Sequence, residues 1–437
     1  MHCPVIRCIY SMKNSYKGFL NQLLQSELWI TSGCAAATFV SERFLLPAAL
    51  VIGALVIIRV LASRKFTHTP IDWGISGLVM MGCLTLIVTS LPQTTLPLVL
   101  RLFIGIGLFY AIVNWGNTFD KLKSLHPIIS IFGFFLALFG LINTRWITDK
   151  LPFIPATFYQ KLPIISPDTI HPSVLGYNLV ILLPIIIAIP LYTWREGSLM
   201  RRITISIVVM GMFFVLVISQ TRGSLLAFVC ALSSLIIQRW KRGIYFVLPF
   251  AALGFILLYL LNSSNLVNPQ TIWTDSPEKL SGRVEIWSRA IVMINDFPFT
   301  GVGMGLYGQL ADSVYPFFIN APGSVPHAHN LFLQIAVDLG IPGLISWLSV
   351  FLIVIASSVK IYFSHQSSAD TSPTQSKWWL GYTAGVLASQ VALVVNGLSD
   401  SVVWGMVKPA PILWGIWGLA IALSMVHARM YPHGFSK

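Results

Sequence analysis

The first residues that could do chemistry form a short polar turn between two apolar stretches. The turn, 219–223, reads Ser-Gln-Thr-Arg-Gly, and it puts Arg222 where a helix is predicted to begin. Thr221 or Ser219 can cap that helix. An arginine at a helix N-terminus adds a cation to free amides and a positive dipole end, which favours phosphate binding. The alternative is an interfacial arginine that extends toward lipid headgroups.

The second segment sets a basic residue beside an aromatic one. It covers 276–289, and its opening Ser-Pro is typical of a helix start. Arg283 and Trp287 lie one turn apart on one face, where they could bind an anion or stack on a sugar. The alternative is a solvated amphipathic helix, in which Glu285 and Arg289 form an ordinary surface pair.

The third segment contains two histidines just before an apolar run. It covers 326–330 and reads Pro-His-Ala-His-Asn. In an extended chain His327 and His329 point the same way, as two metal ligands would, but no further ligand is grouped with them and we predict no metal. The dipole of the following helix favours neutral His329, which suits a general base. The alternative is a capping or interfacial histidine.

Two weaker signals complete the set. The glycine-rich stretch 301–305 follows Phe-Pro-Phe without a surrounding βαβ unit, so we predict a tight turn rather than a nucleotide site. Asp338 and Asp400 are acids within or near apolar stretches, where an acid is a functional candidate by default. Either can instead pair with a neighbour such as Lys408.

The elements that must position these residues are membrane helices. Of the 437 residues, 55% are hydrophobic and only 10% are charged, whereas a soluble domain is about 25% charged. A soluble enzyme is therefore excluded. We predict an all-α polytopic membrane protein with about 12 transmembrane helices of about 20 residues each. The ninth is expected at 243–261, and the tenth, at 330–362, is expected to break at Pro342.

Basic residues predict how the helices are oriented. With the N-terminus inside, 18 of the 28 lysines and arginines fall on the cytoplasmic side. The net charge of +13 is then an orientation signal, and we predict no nucleic-acid partner. The predicted organisation is a cytoplasmic tail at 1–27, helices 1 to 9 at 28–261, a large periplasmic loop at 262–329, helices 10 to 12 at 330–428, and a second cytoplasmic tail at 429–437.

Together these segments resemble the O-antigen ligase and polymerase superfamily. The likeness rests on Ser-x-Thr-Arg-Gly opening a span, then Gly-Arg-x-x-x-Trp and the glycine-rich turn after Phe-Pro-Phe, then His-Ala-His-Asn followed by Asp338 and Gly340. It is best over about 205–355. The predicted span layout and the late outer loop agree over the whole length.

The resemblance implies a glycosyltransferase of the bacterial inner membrane that needs no metal or cofactor and whose active site faces the periplasm. Its donor would be a glycan on undecaprenyl diphosphate, and its acceptor the lipid A core or another glycan. Arg222 and Arg283, with Arg145 as a third contact, would bind the donor diphosphate, and His329 would take the proton from the acceptor hydroxyl. Supporting positions are implied for three neighbours: His327, Asn330 and Trp287.

The residues agree with a metal-free site. Arginine contacts phosphate in a bidentate way without any ion, and the acids of the large loop are dispersed: Asp275, Glu278, Glu285, Asp296 and Asp312. Membrane lipids are the other expected partner.

Ligase is preferred over O-antigen or exopolysaccharide polymerase, because the large loop lies late and carries the histidines. A solute or bicarbonate transporter is the alternative of a different class. It would require broken helices in paired positions, and the sequence indicates one.

Overall fold

The structure is a computed structural model in which nearly all described residues are helical. Besides the helices it contains one isolated parallel bridge, between Thr144 and Ile170. The described residues are 20, 22–63, 67–146, 155–162, 164, 169–240, 242–245, 247, 280–317, 325–367, 373–404 and 411–432.

The helices with defined bounds are numbered here in chain order. They are α1 (Glu27–Val40), α2 (Leu45–Ser63), α3 (Asp72–Val88), α4 (Pro92–Trp115), α5 (Phe119–Asn143), α6 (Ala156–Gln160), α7 (Pro172–Thr193), α8 (Leu199–Ile218), α9 (Arg222–Arg239), α10 (Leu280–Asp296), α11 (Tyr307–Ser313), α12 (Leu331–Ser367), α13 (Pro373–Gly397) and α14 (Pro411–Met430).

Within the described residues, nine helices are long and apolar enough to cross a membrane. The prediction of an all-α polytopic membrane protein is thereby confirmed, but the count of twelve is not established. Helix α1 has 14 residues and α3 has 17, less than the roughly 20 that a span needs. The predicted ninth span lies mostly outside the described residues, as do most of the N-terminal tail and parts of the large loop.

Helices α7 and α13 form the centre of the bundle. Helix α7 is buried along nearly its whole length. Two glycines let α13 approach it closely, since a Cβ at Gly381 or Gly385 would lie 3.0 or 2.8 Å from the Cα of Ile189 or Ile185. Small residues permit this backbone contact between helices. The result is a rigid pair on which α9 and α12 pack.

Basic loops meet at one end of the bundle. The Lys377 Nζ lies 2.7 Å from a carboxylate oxygen of Glu196, and both Lys123 and Arg201 lie over the ring of Trp378, at 5.1 and 5.0 Å from its centroid. These cations belong to segments predicted to be cytoplasmic. The opposite end, where α7, α9 and α12 begin and α13 ends, is called the site end below.

A small second core covers the site end. It joins α10, the glycine-rich turn, α11 and residues 325–328, and its buried side chains include Ile286, Met293, Tyr307 and Val325. The Tyr307 hydroxyl donates to the carbonyl of Ile286 at 2.8 Å. This layer is called the cap, and it carries Arg283 and both histidines.

The predicted break in α12 lies at Gly340 rather than at Pro342. Gly340 has a φ of 68°, a left-handed conformation that glycine adopts without penalty. Backbone groups that the break leaves without a partner in the helix form hydrogen bonds with the glycine-rich turn. The N–H of Ile341 donates to the carbonyl of Pro298 at 2.7 Å, and that of Val302 donates to the carbonyl of Val337 at 2.8 Å. The tight turn is therefore confirmed and is docked into the break.

Asp338 joins the same turn to the bundle. Its fully buried carboxylate accepts hydrogen bonds from the Gly305 N–H at 3.1 Å and from the Gln334 amide at 2.9 Å. Its other oxygen accepts from the Trp404 indole at 2.8 Å. Because these donors satisfy a buried polar group, we assign Asp338 a structural role.

Replacing Gly340 by alanine is expected to destabilise the fold. A Cβ there would lie 2.7 Å from the carbonyl carbon of Phe299, and the residue would keep a left-handed φ. The combined strain should lower the free energy of unfolding by about 2 to 4 kcal/mol, measured by thermal unfolding in detergent. Gly53→Ala is the matched control because nothing lies within 4 Å of a Cβ at that position. Equal unfolding midpoints for the two variants would contradict the assigned strain.

Candidate functional site

Helix α9 begins at a turn that is fixed by its own polar groups. Gln220 has a φ of 52°, and its amide donates to the Tyr159 hydroxyl at 2.8 Å, which in turn donates to the carbonyl of Ile218. The predicted side-chain cap is wrong. Thr221 makes no capping hydrogen bond, since its hydroxyl lies 2.7 Å from that of Ser219 instead. Arg222 is the first residue of α9, and its side chain is exposed.

This turn packs against α7 and against the end of α13. A Cβ at Gly176 would lie 2.4 Å from the Thr221 hydroxyl, and one at Gly223 would lie 2.6 Å from the Ser399 hydroxyl. The Asn396 amide donates to Ser224 at 2.7 Å. Packing therefore explains the glycine at position 223, because only a residue without a side chain lets α9 approach the turn that follows α13.

Arg283 reaches that same turn from the cap. Its Nη1 donates to the carbonyl of Ser399 at 2.5 Å. Arg222 and Arg283 are 61 positions apart in sequence, yet Arg283 contacts Ser399 and Arg222 precedes Gly223, which packs against Ser399. The structure thus brings Arg283 and the start of α9, which carries Arg222, to one short polar turn formed by residues 399–401. It is called the serine turn below.

The two histidines complete the cluster on the other side of the serine turn. Their ring centroids are 4.1 Å apart. The His327 Nδ1 lies 3.1 Å from the Ser401 hydroxyl, and its Nε2 lies 3.8 Å from an oxygen of Asp400. His329 has a φ of 46°, a conformation in which histidine is found more often than most residues. This backbone conformation turns the chain so that the His329 ring lies against the His327 ring.

Asn330 secures the segment. Its side-chain oxygen accepts from the N–H groups of Phe332 and Leu333 at 3.0 and 3.1 Å, so it is the residue that caps α12. Its amide reaches the carbonyl of Leu398 at 3.5 Å. Asn330, for which a supporting role was predicted, therefore has a structural role as the cap of α12. His329 lies just before this helix, and its side chain is half-buried.

The environment of His327 favours its neutral form. Burial lowers the pKa of this imidazole, the Arg283 guanidinium lowers it further, and the Asp400 carboxylate opposes both effects. The side chains of His327 and Asp400 remain 13% and 19% exposed, so the pair can be reached from solvent. A neutral imidazole that faces a carboxylate can accept or relay a proton.

Two further predicted residues, Trp287 and Arg145, lie on segments next to those that carry the arginines. Trp287 packs against the core of the cap, one turn after Arg283. Glu285 and Arg289 form the expected pair on the same helix, at 3.6 Å. Arg145 is exposed and follows the bridge to Ile170, and its neighbour Trp146 packs on Tyr159 at 5.8 Å between ring centroids. Arg145 therefore lies on the chain that borders the Arg222 turn.

Asp400 gains a role that its sequence position did not reveal. Its predicted partner Lys408 lies outside the described residues, and the carboxylate faces His327 instead. One imidazole nitrogen from each histidine and one Asp400 oxygen lie within 4.8 Å of one another. The sequence indicated no third ligand beside the two histidines, and the fold supplies one. Taken as a whole, the site offers two cations for an anion, next to a carboxylate and two imidazoles that can exchange protons.

One model of a known protein family matches part of the chain. Residues 205–348, about a third of the chain, match the family model described as O-antigen ligase. The match confirms the predicted resemblance to the O-antigen ligase and polymerase superfamily, and it supports glycan transfer of the ligase or polymerase type. The matched segment includes Arg222, Arg283 and both histidines. A search of curated proteins gave no match.

Proposed function

We propose that this protein is a glycosyltransferase that moves a glycan from undecaprenyl diphosphate to an acceptor hydroxyl at the periplasmic face of the inner membrane. The observation that supports it is that Arg283, the histidine pair and the start of α9, which carries Arg222, all lie at the serine turn. The family match supports the same reaction class. The particular donor and acceptor are part of the proposal.

The arginines bind the donor diphosphate. A diphosphate leaving group carries two or three negative charges that must be stabilised as the glycosidic bond breaks. Guanidinium groups do this through paired hydrogen bonds to phosphate oxygens. Arg222 is exposed and lies at the N-terminus of α9. The free backbone amides and the positive end of the helix dipole there add to its attraction for phosphate. Arg145 is the third contact that we propose, from the neighbouring loop.

His329 acts as the general base. The acceptor hydroxyl gives its proton to His329 while its oxygen attacks the anomeric carbon. The bond from that carbon to the phosphate oxygen breaks in the same step, and undecaprenyl diphosphate leaves with the bonding electrons. Attack opposite the leaving group inverts the anomeric configuration. His327 and Asp400 orient the part of the site that contains His329. No metal ion takes part in the chemical step.

Ligation to the lipid A core is the specific reaction that we propose, with polymerisation of repeat units as the second member of the same class. Disrupting the gene and separating lipopolysaccharide on a gel distinguishes them. We expect bare core without attached glycan, because a ligase joins the two. Core that still carries a single repeat unit would instead indicate a polymerase, and an unchanged ladder would contradict both. Among the described helices a backbone interruption is found in α12 alone, so no paired interruption supports a transporter.

A further inference from the structure

The histidine pair and Asp400 form a cluster with the composition of a transition-metal site. Three ligand atoms, one from each residue, lie within 4.8 Å of one another. They come from two distant parts of the chain, the segment before α12 and the turn after α13. Imidazole nitrogen and carboxylate oxygen are the ligands that Zn²⁺ takes at sites with three protein ligands and one open position.

The distances between the three ligand atoms are short enough for one ion to bind them all. Zinc binds nitrogen and carboxylate oxygen at about 2.0 to 2.2 Å, so ligand atoms around a tetrahedral ion stand roughly 3.3 Å apart. The His327 Nε2 and an Asp400 oxygen are already 3.8 Å apart. Side-chain rotations alone can therefore bring the three ligand atoms onto one ion, without a change of fold.

The hydrogen bonds around His327 hold its ring in place. A histidine that binds metal through one nitrogen is usually held at the other by a hydrogen-bond partner. Here Nδ1 accepts a hydrogen bond from the His329 N–H at 3.3 Å and lies 3.1 Å from the Ser401 hydroxyl, while Nε2 faces Asp400. The tilted contact of the two rings, at 4.1 Å, keeps His329 beside the same position.

We propose that His327, His329 and Asp400 bind a divalent transition-metal ion such as Zn²⁺, and that the bound ion inhibits glycan transfer. Binding follows from the ligand cluster alone. Inhibition rests on the proposed function, because an ion on His329 occupies the nitrogen that must receive the acceptor proton. The positive charge of Arg283 next to His327 opposes a cation and should make the ion removable by a chelator.

Binding is tested on the purified full-length protein with Co²⁺ as a spectroscopic probe of the site and Zn²⁺ as its competitor. We expect visible ligand-field absorption from one Co²⁺ per chain, lost on addition of Zn²⁺. Each of His327→Ala, His329→Asn and Asp400→Asn should weaken this absorption at least tenfold. His171→Asn is the matched control, since His171 caps α7 at the site end and asparagine can keep the cap. Absence of the bands in the parent protein, or equal bands in all the variants, would overturn the proposal.

Transfer assays separate the two parts of the idea. Zn²⁺ is expected to inhibit transfer and EDTA to restore it, with full activity in EDTA alone. Stimulation by Zn²⁺ would overturn both the inhibition and the metal-free reaction. If Co²⁺ binds through the three residues but the protein transfers no glycan under any condition, the metal site stands and the proposed function fails.

Discussion

Replacing His329 by asparagine should abolish glycan transfer while leaving the fold intact. A positioned general base contributes about 10² to 10⁴ in rate, so we expect a loss of at least a hundredfold in turnover. Asparagine is the informative substitution because it tolerates the left-handed backbone that His329 adopts, at a φ of 46°. The variant therefore loses the imidazole without losing the turn. Turnover is measured with purified protein, lipid-linked glycan and acceptor.

The control for this variant makes the same chemical change elsewhere at the site end. His171→Asn removes an imidazole from the start of α7, where the side chain accepts a hydrogen bond from the Ser173 N–H at 3.3 Å. It should transfer glycan at the parent rate. Normal transfer by a well-folded His329→Asn protein would remove His329 from the mechanism.

Removing either converging arginine should weaken use of the donor. We expect Arg222→Ala and Arg283→Ala each to lower transfer by about 10² to 10³, the usual effect of deleting one group that stabilises charge in a transition state. Lysine should rescue only in part, because it keeps the charge but lacks the paired donors of guanidinium. Kinetics at varied donor concentration measure whether the loss lies in binding, in turnover or in both.

Helix α10 itself provides the matched control. Arg289 lies on the same helix as Arg283, and its partly buried side chain pairs with Glu285 of that helix at 3.6 Å. Arg289→Ala should therefore leave transfer within about twofold of the parent, a change worth less than 1 kcal/mol. Equal losses in Arg283→Ala and Arg289→Ala would mean that α10 tolerates no substitution, and Arg283 would lose its special assignment.

The sequence predicted the helices well because apolar runs of span length leave few other structures for the backbone. Helix α9 begins at Arg222, where the sequence predicted a helix start. Prediction failed where tertiary contacts decide. Proline marked the break in α12, but the glycine-rich turn docks at Gly340 and fixes the break there.

The chemical residues were predictable one by one, and their arrangement was not. Arg222, Arg283 and the histidines stood out because each follows a turn or starts a helix. Asp400 and the neighbouring Ser399 and Ser401 could not be linked to this set, since about 70 residues separate them from the histidines. Pairings of this kind depend on how helices pack, which local spacing does not contain.

The most direct test is the structure of the protein with undecaprenyl diphosphate-linked glycan bound in a lipid nanodisc. We predict that diphosphate oxygens lie at hydrogen-bond distance, about 3 Å, from the guanidinium groups of Arg222 and Arg283. The first sugar should then lie between the diphosphate and His329. A diphosphate bound away from the serine turn, with both arginines and His329 out of its reach, would contradict the proposed function.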